Sequence, residues 1–149
     1  MSTRYKFAFA LYFINAVCML GVGFVYQFSG RFMPYHSDVI QTKWSELTDN
    51  QQILYLGMMR TEAAGFLASS LAIFLLLLIP FRQGQRWSSY AICAIGVVEY
   101  LPSALATYKV SILTTANPPW VVLFAGIVLL LIAFVLSLSK SKNGNGSGI

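Results

Sequence analysis

One acidic side chain, Glu99, lies inside a long apolar stretch of this chain. It follows Trp87, where that stretch begins, by 12 residues. At about 1.5 Å per helical residue this is roughly 18 Å into a hydrocarbon core about 30 Å thick. A carboxylate at that depth costs several kcal/mol unless it is paired, hydrated or neutral, so it indicates a functional site by default. The alternative is a structural residue that bonds to a neighbouring helix or pairs with Arg60.

Other polar groups fall in the same half of the apolar stretches as Glu99. Pro102 removes the hydrogen bond to the carbonyl of Val98 and would leave a polar notch beside the carboxylate, although such prolines are also tolerated in membrane helices without a role. Arg60 and Glu62 enter the preceding apolar stretch from the same side, and residues two apart point in different directions on a helix. The candidate ligand-binding residues are therefore Glu99, Arg60, Glu62, His36, Tyr100 and Asn15.

Two faces of the second apolar stretch compete for the protein interior. One carries Glu62, Gly65 and Ser69, and the other carries Arg60, Ala64 and Ala68 at four-residue spacing. Small residues at this spacing favour close helix contact, so each face indicates packing first. Asn15, midway along the first stretch, more often joins helices than binds a ligand.

His36 lies in the connection between the first two apolar stretches, beside Tyr35, where it could cover the outer mouth of a bundle. A lone loop histidine is more often simply solvated. As the single histidine it cannot build a multi-histidine metal or haem site within one chain. Phosphate-binding glycine loops, nucleophile elbows, zinc motifs and paired cysteines are missing from the sequence, so we expect no cofactor, no metal and no catalytic residue.

The elements that must position these residues follow from composition. Hydrophobic residues make up 57% and charged residues 10% of the 149 residues, whereas soluble domains carry about 25% charged residues. With a mean hydropathy of +0.67, most of the chain is predicted to lie in lipid. The fold class predicted is all-α, a four-helix transmembrane bundle within a single domain over 1–139, with spans of about 7–28, 60–79, 87–108 and 120–138.

The long first connection has a pattern of its own. Its apolar stripe predicts a short amphipathic helix at the membrane interface, formed by Val39, Ile40, Lys43, Trp44 and Leu47. Thr48 can cap the next helix with support from Gln51 or Gln52, so that helix should begin near Asn50. The polar tail 140–149 is predicted to be disordered.

The net charge of +5 is spread singly or in pairs between apolar runs. This pattern indicates topology rather than nucleic-acid binding. Six basic residues lie on the side of the termini and four on the other, which favours cytoplasmic termini: Arg4, Lys6, Arg82, Arg86, Lys140 and Lys142 against Arg31, Lys43, Arg60 and Lys109.

Four short motifs resemble those of small four-span bacterial integral membrane proteins to which no activity is assigned. They are MPYH at 33–36, the segment from Trp44 to Leu47, IPFRQGQRW at 79–87 and NPPW at 117–120. The resemblance implies a four-span topology and a multi-pass location in the bacterial inner membrane. It implies no site residues.

Three functions remain open. The leading hypothesis is a non-enzymatic membrane protein that binds a lipid or small amphiphile, or a partner protein, in the outer half, with Glu99 as polar anchor and Arg60 as counter-charge. The second is a protomer of a small proton-coupled transporter in which Glu99 exchanges the proton. The third is a membrane-embedded, lipid-modifying enzyme with His36 or Glu99 as acid or base. The expected partners are the bilayer, a lipid or amphiphile, and a second copy or another membrane protein.

Overall fold

The computed structural model describes residues 2–138, and the fold of this part is all-helical, as predicted. Four long helices are joined by one long connection, which contains a short helix, and two shorter connections. Their bounds are α1 Thr3–Phe28, α2 Pro34–Ile40, α3 Asp49–Leu76, α4 Trp87–Leu113 and α5 Trp120–Leu138. The predicted disordered tail, 140–149, lies outside the described residues.

The four long helices, α1, α3, α4 and α5, are each long and apolar enough to cross a membrane. Their outward faces carry large apolar side chains, such as Val98 at 72% exposure and Val135 at 67%. A soluble protein rarely exposes a continuous apolar surface of this kind. The chain is therefore a multi-pass membrane protein.

The long helices run alternately up and down and form a closed ring. α1 packs against α3 and α5, and α4 packs against α5 and α3, with the α3–α4 interface the smallest of the four. Glycines bring helices together because a Cβ would not fit: at Gly23 it would lie 2.7 Å from Leu67 Cγ, and at Gly96 it would overlap Leu130. These contacts tighten the α1–α3 and α4–α5 pairs.

One end of the ring contains the start of α1 and the α3–α4 connection. Here the Tyr5 hydroxyl donates to the carbonyl of Phe81 at 2.6 Å, and the two rings stack with centroids 4.2 Å apart. α3 continues beyond Leu76 as a π-turn over Leu77–Phe81. The opposite end, named the outer end after the orientation predicted from the charges, contains the residue 29–48 connection and the 114–119 loop.

The short helix of the outer connection ends earlier than the apolar stripe predicts. α2 stops at Ile40 because Gln41 adopts a left-handed conformation with φ of 53°, and a separate 3₁₀ turn follows at Trp44–Glu46. The prediction of one helix through Leu47 is therefore wrong. Trp44 and Leu47 nevertheless turn inward and pack with Phe32 in a small apolar cluster.

The start of α3 follows the predicted capping pattern. Thr48 is the N-cap, its hydroxyl accepting from the Gln51 N–H at 3.4 Å, and the Gln51 side chain accepts from the Thr48 N–H at 2.9 Å. This reciprocal box satisfies donors that the first helical turn leaves free. α3 consequently begins at Asp49, well before the apolar stretch that starts near residue 60.

Candidate functional site

A cavity of about 610 Å³ lies at the outer end between α3 and α4, with α2 over it. It occupies the side of the ring where the helix interface is smallest. Its lining is Tyr35, His36, Val39, Ile40, Tyr55, Met58, Glu62, Pro102, Ser103, Ala106, Thr107, Val110 and Pro118. The volume falls within the range of small-molecule sites, and the walls are predominantly apolar with few polar groups, as such sites are.

His36 is one of the polar residues that line this cavity. Its Nδ1 accepts from the Met33 N–H at 3.2 Å, closing the capping arrangement at the start of α2. Burial lowers the pKa of His36, because the charged imidazolium loses hydration. The ring is therefore neutral near pH 7, and with Nδ1 accepting, its proton lies on Nε2. The structure places His36 over the outer mouth of the bundle rather than in free solvent.

Tyr35 fixes α2 to the first span. Its hydroxyl and that of Tyr26 on α1 form a short hydrogen bond. Burial raises the pKa of Tyr35, and the bond to Tyr26 raises it further, so the hydroxyl stays neutral. Together with the apolar cluster around Phe32, this bond holds residues 33–47, the cover of the cavity, against α1 and α3.

Two carboxylates, Glu62 on α3 and Glu99 on α4, lie at the α3–α4 interface. Glu62 lines the cavity, and Glu99 lies deeper, where its Oε2 accepts from the Ser69 hydroxyl at 2.9 Å. A Cβ at Gly65 would lie 3.1 Å from Glu99 Oε1, so the glycine makes room for the carboxylate. Gly65 follows Glu62 by one helical turn, so both carboxylates lie on the same side of the α3–α4 interface. Of the two candidate faces of α3, the one with Glu62, Gly65 and Ser69 meets α4.

Three other candidate residues lie away from the cavity. Arg60 is exposed, and within residues 2–138 no ion pair joins it to Glu99, whose partner is Ser69 instead. Tyr100 is 4% exposed and packs in the core, where a Cβ at Gly126 would lie 2.9 Å from its ring.

Asn15 is also buried, and its Nδ2 donates to the carbonyl of Leu11 one turn earlier in α1, at 3.1 Å. In the described chain every buried side-chain nitrogen or oxygen has a hydrogen-bond partner, so neither this amide nor any other is left pointing to an unseen ligand.

Sequence reasoning missed most of the α4 wall. Ser103, Ala106 and Val110 follow Glu99 at intervals of four, seven and eleven residues, so they share one helix face. On α3, Tyr55 and Met58 precede Glu62 on its own face in the same manner. The helix faces that carry Glu62 and Glu99, followed toward the outer end, contain these wall residues.

The described residues bring together no group of three or more His, Cys, Asp or Glu side chains that could hold a metal ion. Comparison of the chain with protein-family models, curated proteins and solved structures found no match. Class and site are therefore defined by the geometry: a four-span helical membrane protein with an outer-end cavity between two spans.

Proposed function

We propose that this protein binds a small amphiphile or lipid in the cavity between α3 and α4. The observation that carries the proposal is the cavity itself, whose volume of about 610 Å³ and apolar walls suit an alkyl chain. The polar groups of Tyr35, His36 and Glu62 suit a headgroup. Met58 and Ala106 line the cavity yet are exposed on the outer surface of the ring, so a ligand can enter from between the helices.

The polar anchor in this proposal is Glu62 rather than Glu99. Glu62 lines the cavity, whereas Glu99 is engaged with Ser69 deeper in the α3–α4 interface. Arg60 has no part in it, because it is exposed and is not among the residues that line the cavity.

The test is native mass spectrometry of the protein released from its lipid surroundings. Ala106→Trp fills the cavity, and Ala125→Trp, an exposed position on α5 outside the lining, is the matched control. We expect a defined amphiphile adduct on wild type and on the Ala125 variant that disappears from the Ala106 variant. An adduct retained equally by all three proteins would overturn the proposal.

Proton-coupled transport is the second candidate, and the observation that favours it is the presence of two carboxylates, Glu62 and Glu99, at the α3–α4 interface. Carboxylates inside membrane helices commonly mark proton relays. The test is proton flux into liposomes, comparing Glu99→Gln with Glu46→Gln, whose carboxylate lies in the outer connection. Flux that Glu99→Gln leaves unchanged would end this candidate.

For location, we propose the bacterial inner membrane with both termini in the cytoplasm. The support is the excess of basic residues on the side of the termini and the resemblance of the loop motifs. Cysteine labelling from either side of the membrane, at Ser2 and at Gly30, tests the orientation.

A further inference from the structure

We propose that the occupant of the cavity is a cationic amphiphile, with an amine or quaternary ammonium headgroup beside Glu62 and an alkyl tail along α4. This inference rests on the proposed function and specifies its ligand. It follows from the charges and the aromatic rings of the lining.

The charge of the lining has one sign. Glu62 is its only ionisable carboxylate, the neutral His36 carries no charge near pH 7, and no lysine or arginine is among the residues that border the cavity. Glu99 adds a second acidic group deeper in the same α3–α4 interface. A phosphate or carboxylate headgroup would meet these acids without a counter-charge, whereas an ammonium would be attracted by them.

The aromatic rings of the lining point to the same ligand. Tyr35 and His36, adjacent on α2, border the cavity together with Glu62, and Tyr55 borders it about two turns of α3 nearer the outer end. Aromatic rings attract ammonium groups through their π-electrons, and recognition of quaternary ammonium commonly uses several such rings with an acid. The bond between Tyr35 and Tyr26 holds one of these rings in place before any ligand arrives.

The remaining walls suit a single alkyl chain. Val39, Ile40 and Met58 on one side and Ala106 and Val110 on the other are apolar. Ser103 and Thr107 interrupt the α4 wall, but the Thr107 hydroxyl donates to the carbonyls of Ser103 and Ala104. Its donor is therefore satisfied within α4 and does not require a polar partner from a ligand.

The experiment uses dodecyltrimethylammonium, dodecanol and dodecyl phosphate, which share one alkyl chain and differ in headgroup charge. Each is incorporated at the same fraction into phosphatidylcholine nanodiscs that hold the full protein, and adducts are measured by native mass spectrometry. We expect the ammonium adduct to exceed the other two. Glu62→Gln should reduce it by about tenfold, because the coulombic attraction between the carboxylate and the ammonium is lost, while Asp38→Asn on α2 should not.

The outcomes separate this inference from the proposed function. If all three compounds bind equally and Ala106→Trp removes all of them, the cavity is an amphiphile site but its preference for a cation is refuted. If Glu62→Gln and Asp38→Asn reduce the ammonium adduct equally, the attraction is to the charged outer surface and the inference fails. Adducts that survive Ala106→Trp would refute both. Circular dichroism of each variant checks that the helices are intact.

Discussion

Gly65 on α3 is in contact with Glu99 on α4. We therefore predict that the effect of Gly65→Ala on the free energy of unfolding changes sign with the residue at position 99. Alanine at residue 65 gains about 1 kcal/mol of helix propensity over glycine. In the wild type its Cβ would lie 3.1 Å from Glu99 Oε1 and 3.4 Å from Oε2, so the carboxylate must move by a few tenths of an ångström. That movement strains the 2.9 Å bond from Ser69.

Overpacking of this kind costs about 1–3 kcal/mol, and an interhelical hydrogen bond in a membrane protein contributes about 0.6 kcal/mol. Against the gain in propensity, Gly65→Ala should therefore destabilise the wild type by about 1 kcal/mol. In a Glu99→Ala background the obstacle is gone, and the same change should stabilise by about 1 kcal/mol. The coupling between the two sites is then about 2 kcal/mol.

The assay is reversible unfolding in mixed micelles with an increasing fraction of sodium dodecyl sulfate, on the four proteins of the cycle. Gly57→Ala is the matched control on the same helix, because nothing lies within 4 Å of a Cβ there. It should be neutral or stabilising with either residue at 99. If Gly65→Ala has the same effect in both backgrounds, the Glu99 side chain does not cross to α3 and the description of the site is wrong.

Three further predictions concern packing and the cavity cover. Gly96→Ala should destabilise the protein by about 1–3 kcal/mol in the same unfolding assay, because its Cβ would overlap Leu130, and an unchanged midpoint would contradict the close α4–α5 contact. The pKa of His36 is lowered in the folded state, so residues 33–47 bind more protons when they unfold locally. The stability of this segment should therefore be greatest above about pH 6.5 and fall at lower pH. Hydrogen-exchange protection over 33–47 should follow this pH dependence. His36→Gln keeps a capping-box residue at that position and should remove the pH dependence. The same pH dependence in the variant would exclude His36 as its cause. Tyr35→Phe, which removes the hydroxyl bond to Tyr26, should lower protection of α2 by about fivefold while leaving α5 unchanged, and equal protection in both proteins would show that the bond does not hold the cover.

The four-helix architecture was predictable from the sequence, because the lipid bilayer restricts the structures that a spanning segment can adopt. A spanning segment must be a helix and must be apolar over about 20 residues, so four such runs predict four helices. The capping box at Thr48 was also predictable, since both of its partners are close in sequence. The end of α2 was not, because a left-handed residue such as Gln41 leaves no mark in a hydrophobic pattern.

The site was only partly predictable, since it depends on which faces of two helices meet. The sequence identified Glu62, Glu99 and His36 as residues of one half, but it could not choose between Glu62 and Arg60 as the residue that faces α4. The structure shows a glycine and a serine, Gly65 and Ser69, accommodating the carboxylate. Such a fit between a carboxylate and small residues is a property of the assembled pair and is absent from either helix alone.

The closed ring has a consequence for how the chain assembles during synthesis. α3 and α4 are neighbours in sequence, yet their mutual interface is the smallest in the ring, while α1 and α5, the first and last spans, are in contact. The nascent α3–α4 hairpin therefore leaves the ribosome with few contacts between its two helices. Until α5 has been translated, the face of α4 around Gly96 lacks the Leu130 side chain that packs on it, so the insertion machinery or lipid must cover that face. Translation of the last span then completes two interfaces in a single step.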